Sequence, residues 1–300
     1  MFDPYSHSIK YRTLHVKVPC ATQYLLMVCL LCTLAATAVC AQETPARPGW
    51  TLYWSDEFAG DSLDESVWSL EQLDPPHNEE LQFYTHTHDQ KDSNVWVKEG
   101  VLVIEAREQK VSGRRRKYDY TSGRIITQGK KEFQYGRMEA RIKLPSGNGI
   151  WPAFWMLGNT MRTEGWPRAG EIDIMEAKGR LPHYASGAIH RGPRGRNKIF
   201  SQTYTLEGKS FFDDFHIFAI EWDEHQIKWF IDNDNFMTAK KADETDPVYW
   251  PFDKPFFFTL NVAVGGWFDK GEDKVNQIPK AGDLPTRMLV DYVRVYKPVE

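Results

Sequence analysis

Beyond residue 41 the chain contains no cysteine: Cys20, Cys29, Cys32 and Cys40 are the only four. That absence excludes a disulfide framework, a thiolate metal site and a cysteine nucleophile from the body of the chain. A long amphipathic helix is missing too, as are repeats, low-complexity tracts and an internal linker. One large domain is therefore expected. There is no Gly-rich phosphate loop and no serine on a nucleophile elbow, which removes two familiar routes to nucleotide and ester chemistry. Basic residues are in deficit. Of 37 basic and 41 acidic residues, Lys10, Arg12, Lys17 and Asp3 precede residue 42, leaving 34 against 40 and a net charge of −6. Such a balance gives no general pull toward nucleic acid or anionic lipid.

The first segment has its own logic. Lys10, Arg12 and Lys17 precede an apolar run from Tyr24 to Val39, too short for a comfortable membrane span. The run exits through the small residues Ala35, Ala36, Thr37 and Ala38. This pattern predicts a secretory signal peptide over residues 1–41, cut after Val39-Cys40-Ala41, and a secreted product, extracellular or periplasmic. A permanent anchor and lipidation of Cys40 are the alternatives. Residues 42–49 read as a polar, Pro-bearing leader, and residues 50–300 as the functional domain.

Within that domain hydrophobicity alternates with period two. Arg137, Glu139 and Arg141 alternate with Met138, Ala140 and Ile142; Ile227, Trp229 and Ile231 and then Leu289, Asp291, Val293 and Val295 continue the pattern. Turn signals such as Glu99-Gly100 and Ser146-Gly147-Asn148-Gly149 separate the runs. Many short strands joined by turns predict an all-β fold, a two-sheet antiparallel β-sandwich. With 11 Trp and 13 Tyr, the sheets have rings enough both to fill a core and to line a sugar-binding groove.

The most informative stretch is Gly170-Glu171-Ile172-Asp173-Ile174-Met175-Glu176-Ala177. Glu171 and Asp173 share one face of a strand while Ile172 and Ile174 face the core. Strict alternation would send Glu176 to the apolar face, where an unpaired carboxylate is costly. A β-bulge at Ile174-Met175 restores it to the polar face. Three like charges then crowd together and raise at least one pKa. Glycoside hydrolysis uses such groups: one carboxylate to attack or assist, one carboxylic acid to protonate the leaving oxygen. On a flat strand these residues span more than about 13 Å, so their convergence requires a concave sheet.

GEIDIMEA resembles the catalytic signature of glycoside hydrolase family 16, in the form with an extra residue before the last Glu. The flanks around Asn148 to Leu157, Gly165-Trp166-Pro167, Asn78 to Thr85, Asn261 to Gly266 and Met288 to Tyr296 resemble its laminarinase-like branch. The resemblance covers roughly Trp50 to Lys297. It implies a jelly roll similar to concanavalin A, with a concave substrate cleft. Residues 50–300 are then the glycoside hydrolase catalytic domain, a retaining endo-1,3-β-glucanase with Glu171 as nucleophile, Glu176 as general acid/base and Asp173 assisting. Asn78, Arg124, Trp151, Trp155, His190, Asn261 and Trp267 match cleft-lining positions. Glu57, Gly100 and Asp291 match the positions of a structural calcium; no catalytic cofactor is implied. The implied partner is β-glucan, met by a monomer without protein partners. Arg168, where relatives carry small residues, would place a cation at the cleft edge. An agarase or carrageenase, and a non-catalytic lectin on the same sandwich, are the competing readings.

Overall fold

Phe218, Ile220 and Trp222 on one strand, and Ile227, Trp229 and Ile231 on the next, are almost wholly buried. Ile217, Glu221, Lys228 and Phe230 between them are not. Successive side chains of a strand point to opposite faces, so this alternation builds a sheet with one face turned to a core. The computed structural model describes residues 47–87, 92–270 and 275–299. The strands form two sheets facing each other across that core.

The outer sheet runs in the order Asp234–Lys240, Gln226–Ile231, His216–Trp222, Gly136–Lys143, Thr286–Pro298, Val101–Ser112, Lys117–Ser122 and Gln82–Tyr84, with Trp50–Asp56 and Val95–Lys98 paired alongside. The other sheet, which carries the acids, runs Lys198–Thr205, Tyr184–Arg191, Glu171–Ala177, Ile150–Gly158, Phe256–Val264, Arg124–Ile126 and Ser69–Leu70. Pairing is antiparallel as expected, except that Gln82–Tyr84 lies parallel to Lys117–Ser122. The core between the sheets holds Ile172, Ile174, Met175, Phe154, Met156, Phe258, Leu260, Trp222 and Trp229. Full burial of each such side chain contributes about 1.5–3 kcal/mol.

The described compact unit begins at Arg47, ahead of Trp50. The Arg47 guanidinium pairs with Glu139 at 3.0 Å, and the Val299 amide donates to the Gly49 carbonyl at 3.0 Å. The end of the expected leader therefore belongs to the fold. The expected signal peptide lies outside the described residues.

Candidate active site

The acid strand, Glu171–Ala177, sits third from one edge of its sheet, between Ile150–Gly158 and Tyr184–Arg191. Its register slips by one residue against both neighbours. On one side Asp173 faces Ala188 and Glu176 faces Ser186. On the other, Asp173 faces Trp155 and Met175 faces Phe154. The extra residue is the bulge expected from the charge pattern. Ile174 and Met175 are both buried in the core, and Glu176 returns to the face that carries Glu171 and Asp173. The opposite sheet holds the bulge in place, because the Trp229 indole donates to the Asp173 carbonyl at 2.8 Å. At the strand's start Gly170 has φ +84°, and a Cβ there would lie 2.9 Å from both the Phe256 ring and Pro251. Only glycine leads the chain into Glu171 along this path.

A cleft of about 710 Å³ opens over this face. All ten residues expected at the site line it: Glu171, Asp173, Glu176, Asn78, Arg124, Trp151, Trp155, His190, Asn261 and Trp267. Tryptophans hold the outer acids. The Trp151 indole donates to Glu176 at 3.0 Å, and the Trp166 indole donates to Glu171 at 2.9 Å. His190 Nε2 lies 3.3 Å from Asp173 and 3.8 Å from Glu171. Trp151 in turn stacks on Phe268, with ring centres 4.8 Å apart. Trp267 is 45% exposed and Trp166 42%. Such open indoles are suited to stacking against the apolar faces of sugar rings.

A second polar network supports Trp155. Its indole donates to Asn261 Oδ1 at 2.7 Å, Asn261 donates to the Tyr84 hydroxyl at 3.1 Å, and Tyr84 donates to Glu80 at 3.0 Å. Gln82 donates to the same Glu80 oxygen at 2.6 Å. The Arg124 guanidinium lies 4.7 Å from the centre of the Trp155 ring and pairs with Glu71. Glu80, Glu71, Trp166 and Asn197 were not singled out from sequence as site residues; of these Trp166 and Glu80 carried a signal there, within the Gly165-Trp166-Pro167 motif and the Asn78 to Thr85 stretch. Arg168 is exposed and does not line the cleft, which corrects the expectation of a cation at its edge.

Electrostatics separates the three acids. Burial pushes Glu171 up to about 8, with the charge of Asp173 adding to the shift and His190 and Trp166 opposing it. Burial also pushes Asp173 up to about 7, while hydrogen bonding with Glu171 opposes the rise. Glu176 is raised well above its ordinary value, first by burial and then by the charges of Asp173 and Glu171. The protons belong to the group as a whole. Three buried carboxyl groups that share their protons, on the floor of an aromatic cleft, are the equipment of a glycosidase.

Comparison with known proteins agrees with that class. Residues 81–293 match the model of glycosyl hydrolases family 16, and the chain belongs to that family. It is 41% identical over 273 residues to glucan endo-1,3-beta-glucosidase A1 of Niallia circulans, covering 84% of this chain and 39% of that one. It is 38% identical to a beta-glucanase of Rhodothermus marinus, covering 93% of this chain and 95% of that one. Among solved structures it is similar to the laminarinase catalytic domain from Thermotoga maritima, with a TM-score of 0.75 and 42% identity over 84% of this chain and 99% of that chain.

Proposed function

We propose that this chain is a retaining endo-1,3-β-glucanase that cleaves internal bonds of laminarin-type glucans by double displacement. The carrying observation is the bulged strand that sets three carboxylates on one face of an aromatic cleft. Glu171, the more open of the first two acids, attacks the anomeric carbon, and its anion is favoured by the Trp166 N–H and by His190. Burial and the charges of Asp173 and Glu171 keep the proton on Glu176, which then gives it to the leaving oxygen. Asp173 stands between them and favours the proton's residence on Glu176. The laminarinase names of the similar proteins support the choice of β-1,3 linkage. A neutral glucan needs stacking and hydroxyl contacts, which the Trp, Asn and His side chains of the cleft supply.

The test is a reducing-end assay on laminarin, lichenan, agarose and carrageenan. Laminarin is expected to be cleaved fastest, by at least about tenfold in kcat/KM, a difference of roughly 1.4 kcal/mol in transition-state binding. Faster cleavage of a sulfated galactan would overturn the assignment. No hydrolysis of any of the four would favour the lectin reading.

The same proposal extends to a structural calcium on the outer sheet. Asp56 pairs with Val293, Val290 pairs with Leu102, and Lys98 pairs with Val101 across the Glu99-Gly100 turn. Glu57, Gly100 and Asp291 each adjoin one of these pairs, so the register brings their main chains to one end of the sheet. The Glu57 carboxylate is taken by two hydrogen bonds from Arg294, each 2.8 Å. With that carboxylate paired, Glu57 would offer the ion its carbonyl oxygen, as would Gly100, which has no side-chain donor. Asp291 adds a carboxylate, one of whose oxygens accepts from Arg141 at 2.8 Å. An all-oxygen donor set suits calcium. Chelation is expected to lower the melting temperature by roughly 5–10 °C, the scale of about 2.7 kcal/mol lost from a site held at 100 times its Kd. Added calcium should restore it, and a melting temperature indifferent to chelator would remove the site.

A further inference from the structure

Asn197 is the last residue of a loop, residues 192–197, that joins Tyr184–Arg191 to the edge strand Lys198–Thr205. The loop's base is clamped. Arg191 and Lys198 face each other across the strands, and both bind Glu244, Arg191 Nε at 3.1 Å and Lys198 Nζ at 2.7 Å. Gly192 starts the turn with φ +116°, and a Cβ there would lie 2.6 Å from the Arg196 carbonyl and 2.7 Å from the Tyr249 ring. The Arg196 amide closes the turn onto the Pro193 carbonyl at 2.9 Å. The clamp and the turn together deliver the Asn197 side chain to the cleft wall, where Nδ2 lies 2.9 Å from His190 Nδ1.

The opposite ring nitrogen faces the acids, Nε2 being 3.3 Å from Asp173 Oδ2 and 3.8 Å from Glu171 Oε1. An ionised carboxylate can only accept, so a proton on Nε2 suits the 3.3 Å approach to Asp173 when that acid is ionised. In a neutral ring Nδ1 is then a bare acceptor, and the Asn197 amide N–H is the donor at hand. This orientation leaves Asn197 Oδ1 buried without a partner.

We propose that Asn197 is a positioning residue that holds His190 in the Nε2–H tautomer, aiming its proton at Asp173 and Glu171. The role of His190 beside the acids rests on the glycosidase reading above, but its tautomer does not. Without the amide donor the ring proton is free to move to Nδ1, and the acids lose the N–H that favours their ionised form.

Histidine-selective ¹⁵N labelling reads the tautomer directly, with His190→Gln identifying the signal. In its neutral form the wild-type ring is expected to carry its proton on Nε2 with Nδ1 bare. In Asn197→Asp the new side chain only accepts, so Nδ1 takes up a proton and is no longer bare. There kcat on laminarin should fall by about tenfold or more with KM changed less than about threefold, and the acid limb of the pH profile should move. A wild-type ring protonated on Nδ1, or an unchanged ring signal in folded Asn197→Asp, would overturn the proposal. If Asn197→Asp fails to fold, Asn197→Ser carries the test, because its hydroxyl is too short to reach the ring and both tautomers should appear. The tautomer measurement uses no substrate, so a failure of the glucanase reading leaves its outcome distinct.

Discussion

Glu171→Gly is expected to lose kcat by about 10⁴-fold or more, the scale on which removing a covalent nucleophile acts. The product formed with azide says more than the loss itself. Without Glu171 no glycosyl-enzyme forms, and azide occupying the vacated space attacks an activated β-glycoside directly, giving an α-glycosyl azide. Glu176→Ala behaves differently. With a leaving group that needs no proton, Glu171 still forms the glycosyl-enzyme; azide then displaces it from the opposite face and gives a β-glycosyl azide. For natural glucan, loss of this acid is expected to cost about 10²–10⁴-fold. The two indole donors frame the same division, Trp166 beside Glu171 and Trp151 on Glu176. Swapped azide products would exchange the two roles. Release of α-configured sugar by the wild-type protein as its first product would end the retaining mechanism altogether.

The acids were legible in the sequence because their placement follows from local physics. A carboxylate cannot be left unpaired on a core face, so the spacing of Glu171, Asp173 and Glu176 demanded a bulge, and the register shows one. The sandwich was legible for a similar reason: strict alternation has one solution per face. The cleft residues came from resemblance rather than from periodicity. What was hidden depends on partners remote along the chain. Asn261 is 106 residues from Trp155 and 177 from Tyr84, and only the completed register brings them together. Arg294 reaches Glu57 across 237 residues, so sequence could not say that the Glu57 carboxylate would be paired. Arg191, in a stretch rich in basic residues, is buried and paired with Glu244, 53 residues away. Asn197 carried no signal at all, since its meaning lies in the ring beside it.

Glu176→Gln is expected to raise the melting temperature at neutral pH while abolishing turnover of glucan. The reason is the upward shift that burial and neighbouring charge impose on Glu176 in the folded state. At a pH below the unfolded value of about 4, folded and unfolded chains are both protonated, and the group affects stability little. As pH rises through that value the unfolded chain releases its proton while the folded one keeps it. The folded state then binds more protons than the unfolded state, so stability falls with rising pH. Glu171 and Asp173 act in the same direction, over windows that close near 8 and near 7. Glutamine keeps the shape, carries no charge and escapes the penalty. Its gain should be near zero at about pH 4 and reach about 1 kcal/mol or more at neutral pH, or about 2–4 °C in a domain of this size. Equal melting temperatures for variant and wild type at both pH values would contradict the shift. The same protons govern activity. The productive form has Glu171 ionised and Glu176 protonated, so lowering pH below about 7–8 removes the nucleophile, and raising it far enough removes the acid. The kcat/KM profile of the wild-type protein should therefore peak at neutral to mildly alkaline pH, with its acid limb well above the ordinary carboxylate value of about 4. An acid limb at that ordinary value would mean that the three carboxylates do not share the burial and repulsion seen in the cleft.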